Sequence, residues 1–305
     1  MSKKLVLVDG HAVVFRAYYA FPATLTTRSG EQINAVYGFA SILLNVLRDL
    51  KPTHVAVAFD LDKPTFRHLE YVDYKAQRPE VDVELTDQLE RVRQVVTALN
   101  IPIFQVEGFE ADDVIGTLGK QAQAKKIDTV IVTGDQDAMQ LVNGHIKVYV
   151  PARGLKPAKI YGEAEVKERY GLTPKQIIDL KALSGDVSDN IPGIHGVGPK
   201  TATKLLQEYN DVDGIYKKIE KITGSLKQKL VDGYEEAERG KKLATIVLDV
   251  PITLDLKACE LKNYDKRKVM DLFEELGFKS LYKRLPDDSF EEDAEDVFAK
   301  QMGMF

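Results

Sequence analysis

The sequence predicts an α/β fold: a central, mostly parallel sheet flanked by helices, followed by a helical C-terminal half. Three apolar runs carry the first part of that expectation. They are "KLVLVDG" (Lys4 to Gly10), "HVAVAFD" (His54 to Asp60) and "TVIVTGD" (Thr129 to Asp135). None alternates enough to keep one face in water, so they read as buried parallel strands. Helical patterns separate them at Ala35 to Leu50, about Thr86 to Leu99, and Asp112 to Ala124. Strands alternating with helices make a sheet covered on both faces. Ligands of such sheets bind beyond the carboxyl ends of the strands. Asp9, Asp60 and Asp135 each stand at that end, so the fold would gather them at one edge.

The second half begins near Leu172. Thr173 and Pro174 suit the cap and first turn of a helix running to about Leu183. "SGDVSDNIPGIHGVGPK" follows, dense in turn residues, and then the helical "TATKLLQEY". Further helical segments are expected around 225–247 and 265–276. Residues 61–84 have weak periodicity and many charges, and an irregular stretch is expected there. The divisions are an α/β domain over 1–172, a helical region over 173–285, and an acidic tail over 286–305 that is expected to lack structure of its own.

Composition excludes several classes. Of 305 residues, 44% are hydrophobic and 29% charged, an ordinary globular balance. There is no apolar run of about 18 residues to cross a membrane. The start is a strand and not a signal peptide. A single cysteine, Cys259, excludes an internal disulfide framework and a Cys-rich zinc site, which fits a reducing cytoplasm. Net charge is −5, which argues against a nucleic-acid partner until its distribution is seen. Seven acids and one lysine put −6 on residues 287–305, leaving +1 on the rest. If nine further acids hold metal, the remaining surface is about +10, and polyanion binding is allowed.

Those nine are Asp9; Asp60; Glu110, Asp112 and Asp113; Asp135 and Asp137; Asp186 and Asp189. "GFEADDVIGTL" crowds three of them into four positions at a helix start, where acids also answer the helix dipole. One acid would suffice for that. Packed together, the nine would repel and some would take up protons. Divalent cations remove the penalty, and all-oxygen ligation suits Mg²⁺ or Mn²⁺. The number suits two ions. A pair about 3.5–4 Å apart is the usual device for phosphodiester hydrolysis.

"GIHGVGPKTATKLL" (Gly193 to Leu206) adds a phosphate grip. Gly193, Gly196 and Gly198 free the backbone around Val197 so that N–H groups can face an anion. Pro199 opens a helix whose positive end points the same way, with Lys200, Thr201 and Lys204 beside it. This is a helix–hairpin–helix pattern that touches only the strand backbone. In "TFRHLEYVDYKAQRPE" (Thr65 to Glu80), Arg67, Lys75 and Arg78 alternate with Phe66, Tyr71 and Tyr74, as in single-strand channels. A cation there would also stabilise charge on a scissile phosphate. Phe15, Arg16, Tyr18 and Tyr19 in "HAVVFRAYYAFP" have the same character.

In this order, "LVDG", "AVYGF", "AFD…TFRH…YKAQRP", "EADDVIGTL", "TGDQD", "GDVSDNIPGIHGVGPKTA" and "LDVPI" resemble the 5′-nuclease, or flap endonuclease, family. The match covers about residues 3–285. It is closest to the bacterial branch, found as the N-terminal domain of DNA polymerase I and as free-standing 5′–3′ exonucleases. The resemblance implies a PIN-like 5′-nuclease fold and a metal-dependent hydrolase that cuts branched DNA near a single/double-strand junction. It serves repair and the removal of RNA primers or 5′ flaps, as a monomer in the bacterial nucleoid. It implies a first metal site of Asp60, Glu110 and Asp112, with Asp9 acting through water and Asp113 nearby. Asp135, Asp137, Asp186 and Asp189 would form the second. Lys75 and Arg78 match the basic pair of an arch, here about 61–95. Tyr74 and Arg67 would contact DNA there, and Arg16 would support catalysis. In related hairpins the turn carbonyls can hold K⁺ that bridges to phosphate.

The chain ends at "QMGMF". Gln301, Met302, Met304 and Phe305 fit a peptide that binds the bacterial sliding clamp, with apolar anchors and a hydrogen-bonding Gln. That ending favours a free-standing enzyme over the nuclease domain cut from a DNA polymerase I. A non-catalytic junction-binding protein is the rival from another class; nine bare carboxylates would repel its DNA. A phosphohydrolase with an Asp nucleophile is the third, but it needs a second acid where His11 stands.

Overall fold

Hydrophobic alternation across the sheet decides which face each strand residue covers. In the computed structural model, Val6 and Val8 of β1 enter one core while Leu5 and Leu7 enter the other, and all four are buried. The structure describes residues 3–78, 82–152, 156–261 and 264–286. The acidic tail and the clamp-type peptide Gln301, Met302, Met304 and Phe305 lie outside the described residues.

Six strands form one sheet in the order β3-β2-β1-β4-β5-β6. They are β1 (Lys4–Asp9), β2 (His54–Ala58), β3 (Ile103–Phe104), β4 (Asp128–Val132), β5 (Ile146–Val150) and β6 (Lys159–Tyr161). The first five are parallel and β6 is antiparallel to β5. The order runs outward from β1 in both directions, so a crevice opens between the carboxyl ends of β1 and β4.

The first half carries α1 (Gly10–Ala20), α2 (Asn34–Leu50), α3 (Phe66–Glu70), α4 (Val83–Ala98), α5 (Ala111–Ala124) and α6 (Glu163–Tyr170). The second carries α7 (Gln176–Ser184), α8 (Pro199–Tyr209), α9 (Val212–Lys217), α10 (Gly224–Asp232), α11 (Tyr234–Ala244) and α12 (Lys266–Glu275). The three expected strands and the helices at 35–50, 86–99 and 112–124 form within a few residues of their expected places. Helix α1 carries the aromatic stretch after Asp9, where the sequence suggested only a stacking surface. Asp9 caps it, accepting from the Ala12 N–H at 2.9 Å. A Cβ on Gly10 would lie 2.4 Å from the Phe59 ring, so only glycine lets this helix start so close to β2.

One core holds α1, α2, α4 and α12 against the sheet, with Phe39, Leu85, Val92, Phe273 and Phe278 buried in it. Helix α5, Val166 of α6 and residues 246–259 cover the opposite face. The segment expected as an arch over about 61–95 divides between two environments. Residues 83–98 form α4, tied to the start of α2 by buried Gln88, which accepts from the Ala35 N–H at 2.8 Å. Residues 66–78 form α3 and consecutive turns lying over the acidic edge. A third core, between α7, α8, α9, α10 and α11, supports the hairpin through Leu183, Ile194, Val197, Leu206 and Leu230. Helix α7 joins the two halves, with Ile177 in the second core and Leu183 in the third.

One buried ion pair fixes three of these segments together. Arg67 of α3 is 3% exposed and Asp113 of α5 is 0% exposed. Two guanidinium nitrogens donate to the two Asp113 oxygens at 2.7 and 2.8 Å. The remaining donors reach the carbonyls of Leu243 and Thr245, each at 2.8 Å. Asp113 also accepts from the N–H groups of Val247 at 2.8 Å and Glu110 at 3.1 Å. Every oxygen lone pair and guanidinium edge is matched, as a buried pair requires. Asp113→Ala strands a buried guanidinium, and we expect about 3–5 kcal/mol of destabilisation by urea unfolding. A loss below about 1 kcal/mol would show that the pair does not hold these segments.

Candidate active site

The end of β1, the loops after β2 and β4 and the start of α5 deliver their acids to one cleft of about 690 Å³. Asp9, Asp60, Glu110, Asp112 and Asp135 line it, with Lys75, Arg78, Arg16, Phe15 and Tyr19. Local chemistry aims each acid. Asp9 accepts from the Thr133 hydroxyl at 2.8 Å, which ties the end of β1 to the loop after β4 across the crevice. Asp60 accepts from the Ala111 N–H at 2.7 Å, so the loop after β2 caps the start of α5. His11 Nδ1 lies 3.0 Å from Asp60 Oδ2. Asp135 accepts from the Asp137 N–H at 2.9 Å.

Beside the cleft, Asp137, Asp186 and Asp189 bring ligand oxygens within 4.8 Å of one another. Asp186 and Asp189 stand in the loop after α7, where the paired backbones of Asp186 and Ile191 close a tight turn. Lys181 of α7 donates to both Asp137 and Asp186. Arg78 donates to Asp189 at 2.6 Å and Lys75 to Glu110 at 3.0 Å. The Lys75 backbone N–H also donates to the Asp189 carbonyl at 2.9 Å, and Asn190 to the Asp73 carbonyl at 2.7 Å. Residues 73–78 are thereby docked on the loop that carries the trio.

The electrostatics record the crowding. Burial pushes Asp112 well above the carboxylate range, and the charges of Asp9, Asp135, Asp137 and Asp60 push it further. Burial, with Asp60 and Asp135, raises Asp9 to about 6 against the hydrogen bonds from Ala12 and Thr133. Burial and Asp135 raise Asp137 to about 7, although Lys181 opposes them. For Asp60, burial is outweighed by the bond and charge of His11, and it falls to about 2. Burial of Asp186 is likewise outweighed by Lys181 and Ser188, which lower it. Burial would depress Lys181, but Asp137 and Asp186 raise it. The donor set is all oxygen and carries more negative charge than its lysines and arginines balance. That fits hard divalent cations.

Four expectations need correction. Asp113 is a buried capping acid with both oxygens occupied, so it cannot take a metal. Arg67 is buried against it and cannot reach DNA. Tyr74 is 3% exposed, with its ring among Tyr71, Ile191, Leu243 and Ala244, so no face is offered to a base. Its hydroxyl lies 3.2 Å from Glu110 and 3.3 Å from Asp189, bridging the two acidic groups. Val197 packs in the third core and its N–H donates to the Ile194 carbonyl at 2.9 Å, so it presents no donor to a phosphate.

The other positions are placed as follows. Gly193 is glycine because a Cβ there would sit 2.1 Å from the Gly185 nitrogen. Gly196 has φ +76° and is exposed at the turn tip, and exposed Gly198 caps α8. Lys200 and Lys204 are exposed on α8, and Thr201 is half-buried. Arg16 lines the cleft and donates to the carbonyls of Pro151 and Ala152, which anchors α1 to the end of β5. Lys181, Thr133 and His11 are site residues that the motifs did not single out. Lys181 precedes Asp186 by five residues, and that spacing across a helix end was its only signal.

Two family models match. One, the N-terminal resolvase-like domain of 5′-3′ exonucleases, covers residues 4–171, and the other, the C-terminal SAM fold of 5′-3′ exonucleases, covers residues 172–267. The chain belongs to the 5′-3′ exonuclease family. It is a metal-dependent nuclease by that membership and by its acidic clusters. It is 43% identical over 290 residues to DNA polymerase I of Bacillus subtilis, covering 95% of this chain and 33% of that protein. It is 46% identical to DNA polymerase I of Chloroflexus aurantiacus, covering 92% of this chain and 31% of that protein. The chain therefore spans about a third of these relatives. The fold is similar to a zinc-bound T5 5′-exonuclease, with TM-score 0.67 and 21% identity over 90% of this chain and 100% of that one. It is also similar to the catalytic core of Rad2 in complex with DNA substrate, with TM-score 0.59 and 18% identity over 93% of each chain.

A carboxylate with a raised pKa favours the folded chain only while it holds its proton. Asp9 and Asp137 keep theirs to about pH 6 and 7, whereas the unfolded chain loses them near 3.8. Between those limits the folded state binds more protons, so rising pH costs the metal-free fold stability. A divalent ion needs these groups ionised. The rise in Tm on adding Mn²⁺ should therefore grow between about pH 5 and pH 7.5 in thermal unfolding. A shift as large at the lower pH would contradict this electrostatic account.

Proposed function

We propose that this chain is a structure-specific 5′ nuclease that hydrolyses phosphodiesters of branched DNA, as a 5′-flap endonuclease and 5′–3′ exonuclease. The observation that carries the reading is the convergence of eight carboxylates in two adjoining groups at the sheet edge. A protein that only binds DNA has no use for that charge. The DNA-bound Rad2 core and a T5 D15 flap endonuclease complex with DNA and metal ions support the substrate class through their shared fold.

Asp9, Asp60, Glu110 and Asp112 would hold one divalent ion, and Asp137, Asp186 and Asp189 a second, as Mg²⁺ or Mn²⁺; Asp135, expected with the second group, lines the cleft of the first. When bound, such ions lower the pKa of a water and draw charge off the phosphate. Lys75 and Arg78 stand over the acids on a segment docked by its own backbone. On substrate binding they turn their charge to the scissile phosphate, where a cation stabilises the transition state. Gly196, Gly198, Lys200 and Lys204 form the exposed end of α8 and grip the duplex backbone away from the cut. The hairpin carbonyls would hold K⁺ in that grip.

Asp112→Ala and Asp186→Ala should each lower single-turnover cleavage of a labelled 5′-flap duplex by about 10²-fold or more with Mg²⁺. Flap affinity measured in Ca²⁺ should stay within a few fold. Near wild-type turnover in either variant would remove the catalytic reading.

The terminal Gln301, Met302, Met304 and Phe305 are proposed to seat in a bacterial sliding clamp. Deleting residues 301–305 should abolish clamp binding in surface plasmon resonance and leave flap cleavage on a free oligonucleotide unchanged. Undiminished clamp binding by the shortened chain would refute this role.

A further inference from the structure

Lys181 is one of the side chains of this site that no motif singles out, and its position is specific. It projects from α7 into the second acidic group, with its side chain 14% exposed, as exposed as that of Asp137. Its ammonium donates to one oxygen each of Asp137 and Asp186. Those acids and Asp189 place ligand oxygens within 4.8 Å of one another, which is room for one cation among them. An ammonium within hydrogen-bond reach of both Asp137 and Asp186 and a divalent ion held among the trio would be like charges a few ångströms apart. Each therefore disfavours the other.

We propose that Lys181 is the resident counter-ion of the Asp137–Asp186–Asp189 trio and must be displaced for a divalent ion to bind there. This rests on the reading that the trio holds such an ion. The arrangement has two consequences. In the absence of metal, the three crowded carboxyl groups stay assembled because a tethered cation sits among them. Lys75 and Arg78 pair with Glu110 and Asp189, whereas Lys181 pairs with Asp137 and Asp186. When metal arrives, the exchange weakens its binding, because part of its attraction is offset by the lost ammonium contacts. The trio should accordingly be the weaker of the chain's two metal sites. A lysine suits this better than an arginine, because its ammonium is a point charge on a flexible stem, able to leave without breaking a bidentate fork.

The test is Mn²⁺ titration of the full chain without DNA by isothermal titration calorimetry, with thermal unfolding of the same samples. Wild type should show a tighter and a weaker site, and Asp186→Asn should abolish the weaker one. Lys181→Gln should tighten that weaker site by at least about tenfold. Its metal-free Tm should fall, and Mn²⁺ should restore it to the metal-loaded wild-type value. Lys181→Arg, which keeps a charge in place, should bind the weaker ion no better than wild type. If Asp186→Asn removes the site while Lys181→Gln leaves its affinity unchanged or lower, the counter-ion role is wrong and the metal site stands. If Lys181→Gln does not fold, a tightened site in Lys181→Arg overturns the role by itself. If wild type has no site sensitive to Asp186→Asn, both the metal reading of the trio and the role of Lys181 fall together.

Discussion

Mutual repulsion among eight carboxylates is the constraint to which the surrounding structure responds. The sheet forces the problem, because parallel strands deliver Asp9, Asp60 and Asp135 to the same edge and α5 starts there with Glu110 and Asp112. Asp112, flanked by the charges of four other acids, feels it most. Three answers are built in. Some acids are paired with cations, as Glu110 is with Lys75, Asp189 with Arg78 and Asp186 with Lys181. Some are held by backbone and hydroxyl donors, as Asp9 is by Ala12 and Thr133. Asp112 and Asp137, raised by burial and by neighbouring charge, favour the protonated form until a divalent cation replaces the protons. Affinity for metal is thus stored as electrostatic tension in the metal-free chain.

Tension of that kind needs a rigid frame, and the Arg67–Asp113 pair supplies it. The pair joins α3, the start of α5 and the chain at 243–247, three segments with little reason to stay together at a repelling edge. It also separates two jobs that adjacent residues share. Asp113 is saturated and caps its helix, while Asp112, one position earlier, faces the cleft. A helix start places successive side chains about 100° apart, so one residue can point inward and the next into solvent. The capping explanation of the acid-rich "EADD" therefore holds for Asp113, while Asp112 joins the other acids in the cleft.

The same economy appears in residues 66–78. Read as a string, they look like an exposed nucleic-acid strip. Folded, they place Arg67 and Tyr74 in the interior and leave Lys75 and Arg78 at the cleft. The interior pair sets where the exposed pair stands. Docking through the Asp189 carbonyl and Asn190 further links this segment to the second acidic group, so movement of one is felt by the other.

Three inner strands of the sheet, the edge where the acids gather, the glycine-bearing hairpin and the family are legible in the order of residues alone. These are local or periodic features: apolar runs, an Asp closing each strand, and glycines where a Cβ has no room. The edge strands 103–104 and 159–161 are not legible there, because they are short and take their form from neighbours, and neither is the inner strand 146–150. Which charged side chains are buried and which are exposed follows from packing between distant segments. Asp112 and Asp113, or Arg67 and Lys75, are chemically alike in the sequence. What separates them is whether a complementary partner more than about forty residues away closes over them, as Arg67 and the Val247 N–H do over Asp113. Lys181 was overlooked for the same reason. Its partners lie partly in another element, and a lysine five residues from an aspartate has no meaning until a helix end brings the two around one site.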